Sequence, residues 1–562
     1  MLAYKGKTIN NKMKNSMHKF IYLDLEANGL TPDTIWCVVT KENDVTLVHK
    51  DPESLSEALR GSQSVVGHNL IGYDVPVLER LWGITVAPGR VLDTLVLSRL
   101  CEPSKSGGHS LRNWGNDLGF PKGDHSDWSQ LSQEMIDYCI QDVNVTEAVH
   151  QKLVQEMACF SPVSIELEHK VQVAVQQQEK NGWVLDQSLA RDLCSTFKER
   201  MNDIEEELQK KFPPIVHERW SEKTGKRLKD KVEVFNVGSR QQIAKRLAGL
   251  GVRFDKVTEK GNPIVDEAVL DTINLPEAKV VSEYLMLQKR YAQVNSWLQH
   301  VKEDGRVHGR VISNGAVTGR MTHQSPNMAQ VPASHSPYGH ECRSCWTVPE
   351  GKKLVGFDAS GLELRMLAHY MKDEVYTNEI INGDVHTANQ KLAGLESRNQ
   401  AKTFIYALLY GAGDAKLGTV AGGGRRTGKK LRESFLSNLP AFAALKDRVS
   451  NASARGYLTG LDGRRLLVRS EHSALNTLLQ AAGAIVMKKA LVILDDYATR
   501  WDLDYKIIGN IHDEVQTEVA EKDAEKFGWL AVECLKAAGI EFNLRCPLDG
   551  EYKVGTTWAE TH

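Results

Sequence analysis

The sequence predicts a multidomain protein of mixed class, an α/β unit first and α+β segments after it. Three observations carry that prediction. The chain has 562 residues, whereas single apolar cores stop growing at about 250–300 residues. Residues 20–150 alternate apolar runs such as "FIYLDLE" and "SVVGHN" with helical patterns, which marks an α/β unit. From about residue 160 to 300 the period becomes helical, and beyond 305 strands return.

Each segment has a local reason. "SIELEHKVQVAVQQQEKNG" is a helix that closes on Gly182, and "DQSLARDLCSTFKERMNDIEEELQKKF" is a second, stopped by Pro213. "PEAKVVSEYLMLQKRYAQVNSWLQHV" is a third, and a short polar, basic stretch around "WSEKTGKRLKDK" lies between them. Helical patterns fill roughly 376–455, and "YKIIGNIHDEVQTEV" reads as two β runs hinged at His512-Asp513. No internal repeat or low-complexity segment interrupts this order.

Composition narrows the function classes. Hydrophobic content of 41% with 25% charged residues is ordinary for globular protein. No window approaches the roughly 18 uninterrupted apolar residues of a membrane span, so no membrane partner is expected. The net charge of −2 neither selects nor excludes nucleic acid, because local patches decide binding. Two basic clusters, Lys223, Lys226, Arg227, Lys229 and Lys231, then Arg425, Arg426, Lys429, Lys430 and Arg432, read as solvated surface, with nucleic-acid binding as the alternative. Nine scattered cysteines point to a reducing compartment, and Cys342 with Cys345 forms a CxxC with no second ligand pair nearby. Residues 1–18 carry lysines without acids and lack an apolar h-region, so a disordered leader is expected there.

The chemistry begins with an awkward charge. The apolar run Leu354 to Phe357 ends on Asp358, although desolvation disfavours a carboxylate at the lip of a buried strand. Either Asp358 caps the following helix, or it is a metal ligand with a partner elsewhere. Asp513, at the tip of the "IHDE" hairpin, is 155 residues away and offers that partner. Two divalent ions about 3.5–4 Å apart can be clamped between such acids and substrate phosphates, and magnesium, which takes few protein carboxylates, suits them. In "SRNQAKTFIYALLYG", Arg398, Lys402, Tyr406 and Tyr410 recur every four residues, so on a helix they make one stripe. Cations there could meet phosphates while rings meet sugar and base; the alternative is a surface helix with tyrosines packed inward.

"DASGLELR", "RNQAKTFIYALLYG" and "IHDE" together resemble motifs A, B and C of the family A (polymerase-I-like) DNA polymerases. The chain resembles most of all the replicative enzymes of T-seven-like podophages. "AVTGRMTHQSPNMAQVP", "GDVHTANQ", "GLDGRRLLVRS" and "HSALNTLLQAAGA" agree as well. The resemblance implies that Asp358 and Asp513 hold two Mg2+ ions, with Mn2+ as a substitute, and that Lys402 neutralises the α-phosphate and protonates the pyrophosphate. It assigns Arg398 and His386 to the outer phosphates of the dNTP, Tyr406 to the sugar, and Glu363 with Tyr410 to the exclusion of a ribose 2′-hydroxyl. Arg320 and Gln480 would read minor-groove acceptors of the primer–template end, with Asn476, His472 and His512 as further duplex contacts.

A second site is implied upstream. Asp24 and Glu26 in "YLDLEANG" alternate along a strand and share a face, "GHNLIGYD" supplies Asp74, and "DYCIQD" puts Tyr138 and Asp142 one helical turn apart. These four acids and tyrosine resemble the DEDDy 3′–5′ exonucleases, in which the acids hold two magnesium ions and the tyrosine orients the attacking water. Asp93 is read as a structural acid or as one that supports the metal-binding acids from behind.

The expected architecture is thus an RNase H-like exonuclease domain (19–155) followed by a right-hand polymerase. Its parts are a helical thumb (156–305), palm (306–375 and 456–562) and fingers (376–455). The expected role is phage genome replication in the cytoplasm of an infected bacterial host. Primer–template DNA and dNTPs are the expected partners, together with a phage helicase-primase and a single-stranded DNA-binding protein. Where those relatives carry a long thumb insertion that binds thioredoxin, only "RWSEKTGKRLKDK" stands, and "SNASARGYLT" replaces a basic front loop. Thioredoxin independence is therefore expected. The rival readings are a non-catalytic nucleic-acid-binding protein, a nuclease whose second half only grips DNA, and an organellar or bacterial repair polymerase.

Overall fold

The computed structural model describes residues 19–562, so the expected leader lies outside the described residues. The chain opens on a five-stranded sheet of β1 (Phe20–Ala27), β2 (Ile35–Glu42), β3 (Val45–His49), β4 (Ser64–Gly67) and β5 (Val91–Asp93), in the order β3-β2-β1-β4-β5. β1 runs antiparallel to β2 and parallel to β4. Both faces are covered, which the period of two along β1 makes possible. Ile21, Leu23 and Leu25 enter one apolar cluster with Leu55 and Leu78 of the flanking helices. Tyr22 enters another with Ile136, Cys139 and Val143 of α2 (Gln133–Glu156). α1 (Asp74–Trp82) follows β4, and Ser132 starts α2 by accepting a hydrogen bond from the Met135 amide.

Three long helices form the middle of the chain, and each matches its sequence period. α3 (Pro162–Asn181) ends at Gly182, whose φ of +61° lies in the left-handed region that favours glycine. α4 (Gln187–Lys211) and α5 (Pro276–His300) share a core of Leu193, Phe197, Ile204, Val281, Tyr284 and Val294. The basic stretch between them is not a loop: it folds as a two-stranded hairpin, β6 (Ile215–Trp220) and β7 (Arg227–Glu233).

The last third is built on a four-stranded antiparallel sheet. Its strands are β8 (Lys352–Ala359), β9 (Tyr505–Ile511), β10 (Glu514–Ala520) and β11 (Gly550–Gly555), in the order β9-β10-β8-β11. Between β8 and β9 lie α6 (Leu362–Met371), α7 (Val385–Ala393), α8 (Arg398–Leu409), α9 (Arg425–Asn438), α10 (Pro440–Ser453) and α11 (Glu471–Arg500). α12 (Ala524–Glu541) packs across the sheet. α11 is the one described helix long and apolar enough to cross a membrane, yet 78% of its apolar window is buried in the core.

A fully buried ionic cluster pins α3 to α11. Lys488 Nζ donates to both Glu168 oxygens at 2.7 and 2.9 Å and to Asn314 Oδ1 at 3.0 Å. Arg464 Nη2 reaches Glu168 Oε1 and Asp462 Oδ2, each at 2.6 Å. Two cations face two carboxylates, so no charge is stranded, and removing any one partner would leave an uncompensated buried ion.

Candidate active sites

The first site collects at one end of β1. Asp24 and Glu26 lie on the Tyr22 face, which α2 covers with Tyr138, Cys139 and Asp142. Asp74, the first residue of α1, is 4% exposed and accepts a hydrogen bond from the Leu25 amide at 3.2 Å. Glu26 and Asp142 are buried as well. Ligand atoms of Asp24, Glu26 and Cys139 lie within 4.8 Å of one another, and Cys139 Sγ donates to the backbone oxygen of Asp24 at 3.4 Å.

Crowding shows in the acidities. Burial and then the Asp142 carboxylate push Asp24 up to about 7. Burial, followed by Asp24 and Asp142, pushes Glu26 up to about 10. Asp74 is raised well above the carboxylate range by burial and by Asp24, and Asp142 is also raised by burial. Four hard oxygen donors raised by burial, three of them also by a neighbouring acid, form a donor set suited to divalent cations. Asp93 stands apart from them. Its carboxylate accepts from the Asn69, Ile71 and Leu95 amides at 2.8, 3.1 and 2.9 Å. It shapes the loop before α1 and caps the helix after β5, as a structural acid should.

The second site is set by strand register. Asp358 of β8 pairs with Glu514 of β10, and the Ala359 amide donates to the Asp513 carbonyl at 3.2 Å. His512 takes a φ of +59° in the tight connection between β9 and β10, which turns Asp513 out at the tip. The two acids 155 residues apart in sequence are thereby neighbours at one end of the two central strands. Asp358 remains solvent-exposed at the lip, yet the surrounding protein, then Asp513, then Glu514, push it up to about 7. Asp513 is raised by burial, against the opposing pull of Arg320 and His512. The capping alternative fails, because Gly361 occupies the N-cap of α6 and no side chain caps it.

Arg320, Glu363 and Tyr410 are linked beside Asp513. Arg320 Nη2 lies 3.7 Å from Asp513 Oδ1 and 3.3 Å from Glu363 Oε1. Tyr410 Oη donates to the Glu363 carboxylate at 3.1 and 2.8 Å. α8 begins in a capping box of Ser397 with Gln400 and buries Ala401, Phe404, Ile405 and Leu409. Its opposite face presents Arg398 and Lys402 to solvent, with Tyr406 half-buried and Tyr410 closing the helix. The Tyr406 and Tyr410 rings stand 6.3 Å apart, and His386 of α7 stands 6.3 Å from Tyr406. Burial, then Arg398 and Lys402, lower the His386 pKa. Arg398 is also engaged: its Nε donates to Asp384 Oδ2 at 2.6 Å, while its side chain stays 52% exposed.

A small cavity between the Arg320 loop, α11 and the β9–β10 tip is lined by Arg320, Met321, Ala484, Met487 and His512. Gln480, Asn476 and His472 continue the Ala484 line along α11 at four-residue steps, and none of the three is buried. The cysteines of the CxxC sit in the apolar core instead, fully buried among Trp346, Leu354 and Trp558.

Sequence reasoning missed three neighbours. Lys122 forms an ion pair with Asp142, Cys139 joins Asp24 and Glu26, and His562 Nδ1 sits 2.8 Å from Glu514 Oε2, beside Asp358. Cys139 could have been found, since it follows Tyr138 directly.

The sequence profile for DNA polymerase family A matches residues 198–560. The DNA-directed DNA polymerase of Enterobacteria phage T3 is 33% identical, covering 91% of this chain and 94% of its own. That of Escherichia phage T7 is 34% identical, covering 90% and 93%. DNA polymerase I of Aquifex aeolicus is 27% identical over 98% of this chain and 97% of its own. Among solved structures, the POL domain of Pol1 from M. smegmatis, in complex with DNA primer-template and dNTP, shares the fold. Its TM-score is 0.79 over 97% of this chain and 96% of that one, at 19% identity. A profile over most of the chain and phage relatives matched along nearly their whole length lead to one conclusion: the chain belongs to DNA polymerase family A, the DNA-directed DNA polymerases.

Proposed function

We propose that the Asp358–Asp513 pair is the DNA-synthesis site and the Asp24–Asp142 cluster a 3′–5′ proofreading site, on one replicative phage enzyme. The observation that carries the synthesis assignment is the β8–β10 register, which makes neighbours of the two acids. Both clusters offer hard carboxylate oxygens and are raised by crowding, which suits Mg2+, with Mn2+ as a substitute. Asp358 and Asp513 would hold two ions, and Asp24, Glu26, Asp74 and Asp142 two more. When bound, the ions supply charge stabilisation and an activated nucleophile.

The chain's own groups do the rest. Lys402 Nζ neutralises the α-phosphate and gives its proton to the departing pyrophosphate. Arg398 and His386 take the outer phosphates, which requires Arg398 to share or release Asp384. Tyr406 lies against the sugar. Glu363, held by Tyr410 and Arg320, fills the place of a 2′-hydroxyl and so selects dNTPs. Arg320, Gln480, Asn476, His472 and His512 contact the primer–template end. At the other site Tyr138 orients the attacking water.

The domain plan follows: exonuclease (19–155), thumb (156–305), palm (306–375 and 456–562) and fingers (376–455). We assign the enzyme to phage genome replication in the cytoplasm of the bacterial host, alongside a helicase-primase and a single-stranded DNA-binding protein. It would work without thioredoxin, since a short β6–β7 hairpin stands where the insertion would be. Primer extension tests the synthesis site. The wild type should lengthen a primed template with dNTPs and Asp513→Asn should not; equal incorporation by both removes the assignment.

A further inference from the structure

Lys122 lies inside the acid cluster, and nothing in the proposed function makes use of it. Its segment is fastened at both ends. The Pro121 carbonyl accepts from Gln141 Nε2 of α2 at 3.0 Å, and the Trp128 carbonyl accepts from Trp36 Nε1 of β2 at 3.0 Å. His125 and Trp128 flank Tyr138, each with ring centroids 5.8 Å from it. Between these anchors the Lys122 side chain is only 19% exposed, and its ammonium pairs with Asp142 Oδ2. The same nitrogen stands 4.7 Å from the centre of the Tyr138 ring. The other Asp142 oxygen, Oδ1, is buried without a hydrogen-bond partner. One carboxylate thus has a lysine on one oxygen and room for a further cation on the other.

Charge makes the arrangement purposeful. Four carboxylates, two divalent cations, one phosphodiester and Lys122 together balance to neutrality. Without the lysine the loaded site is one negative charge in excess before attack, and the transition state adds another. A preorganised cation where that charge develops is worth more in a buried site than in water.

Resting on the proofreading reading, we propose that Lys122 is a substrate-contacting residue of the exonuclease site. Without metal its ammonium neutralises Asp142. With metal and DNA bound, its flexible stem carries the ammonium onto a non-bridging oxygen of the scissile phosphodiester. Water oxygen then bonds to phosphorus and loses its proton to solvent. The bond from phosphorus to the 3′-oxygen breaks with its electron pair on that oxygen, which takes a proton from water, and a 5′-mononucleotide departs. Lys122 stays protonated throughout.

The test uses full-length Lys122→Met and Lys122→Arg and has two arms. In the first, Mn2+ binding without DNA is titrated in an Asp513→Asn background, which silences the other site. Lys122→Met should bind roughly three- to tenfold more tightly, because the competing ammonium is gone. In the second, single-stranded DNA is degraded under saturating Mg2+. Lys122→Met should lose about a hundredfold in kcat with KM little changed, while Lys122→Arg keeps most of it. Primer extension should be unaffected by either Lys122 substitution when Asp513 is intact. Weaker Mn2+ binding together with slower turnover would mean a merely structural lysine, and wild-type turnover in Lys122→Met would also overturn the proposal. A wild type that degrades no DNA would remove the proofreading reading itself, and this contact with it.

Discussion

The two acid clusters are assembled by different means. In the upstream cluster the acids come from β1, α1 and α2, and three of the four are buried: Glu26 at 7%, Asp74 at 4% and Asp142 at 2% exposure. At the downstream site, Asp358 lies exposed on β8 and half-buried Asp513 lies in the β9–β10 turn, with Arg320 Nη2 3.7 Å from it. A buried cluster holding one lysine would, under the proofreading proposal, suit a single chain end. A more open site with Arg320 beside it, and with Arg398 and Lys402 exposed on α8, would under the proposed function suit a duplex terminus and a triphosphate together, because each phosphate brings charge to be matched. Acid number alone would not separate the two; depth and the placement of cations do.

Substitutions can break that comparison. The largest effect should come from Asp358→Asn, which should slow primer extension by about 10³-fold or more and leave degradation of single-stranded DNA at the wild-type rate. The reciprocal change, Asp24→Ala with Glu26→Ala, should abolish degradation and leave extension intact. Loss of both activities in either variant would mean that the clusters are not independent. Lys402→Met should slow single-turnover incorporation by roughly 10²–10³-fold without weakening DNA binding in an anisotropy titration. Glu363→Ala should raise ribonucleotide incorporation about ten- to a hundredfold, since one removed steric and polar block changes discrimination by a few kcal/mol.

The smallest effect sharpens the contrast in depth. Asp24 has its folded pKa raised to about 7, above the unfolded value of about 3.9. The folded state therefore holds the proton better between those values, and stability falls as pH rises through that window. Metal-free wild type should melt higher at pH 5.5 than at pH 8. Asp24→Asn should reduce that difference by a degree or two, and added Mg2+ should do the same for the wild type. A pH-independent melting temperature in metal-free wild type would contradict this crowding.

What could be read in the chain was whatever depended on local period. Asp24 and Glu26 at alternate strand positions had to share a face, and four-residue steps from Arg398 to Tyr410 had to make a stripe. The strand hinge at His512-Asp513 was visible because apolar runs flank it on both sides. Hidden features depend on chain crossings or on missing burial. Lys122 meets Asp142 only because a segment between α1 and α2 folds back, and no spacing encodes that. Arg398, the first residue of α8, reaches Asp384, the N-cap of α7. The β6–β7 hairpin escaped because both its faces are solvated: Val216, Trp220 and Val232 are 57, 57 and 55% exposed, so no buried face imposes an alternating pattern. Whether Asp358 capped α6 could be settled only by finding Gly361 in that position.

The synthesis site stands or falls on one proposal: β8 and β10, in the register seen, bring Asp358 and Asp513 together over a shared pair of cations. A crystal grown with primer–template, a non-hydrolysable dNTP analogue and Mn2+, measured at a wavelength where manganese scatters anomalously, tests it directly. Two anomalous peaks about 3.5–4 Å apart are expected, each contacting both carboxylates or one carboxylate and the triphosphate. Manganese bound elsewhere in the cleft, with Asp513 turned away, would contradict it.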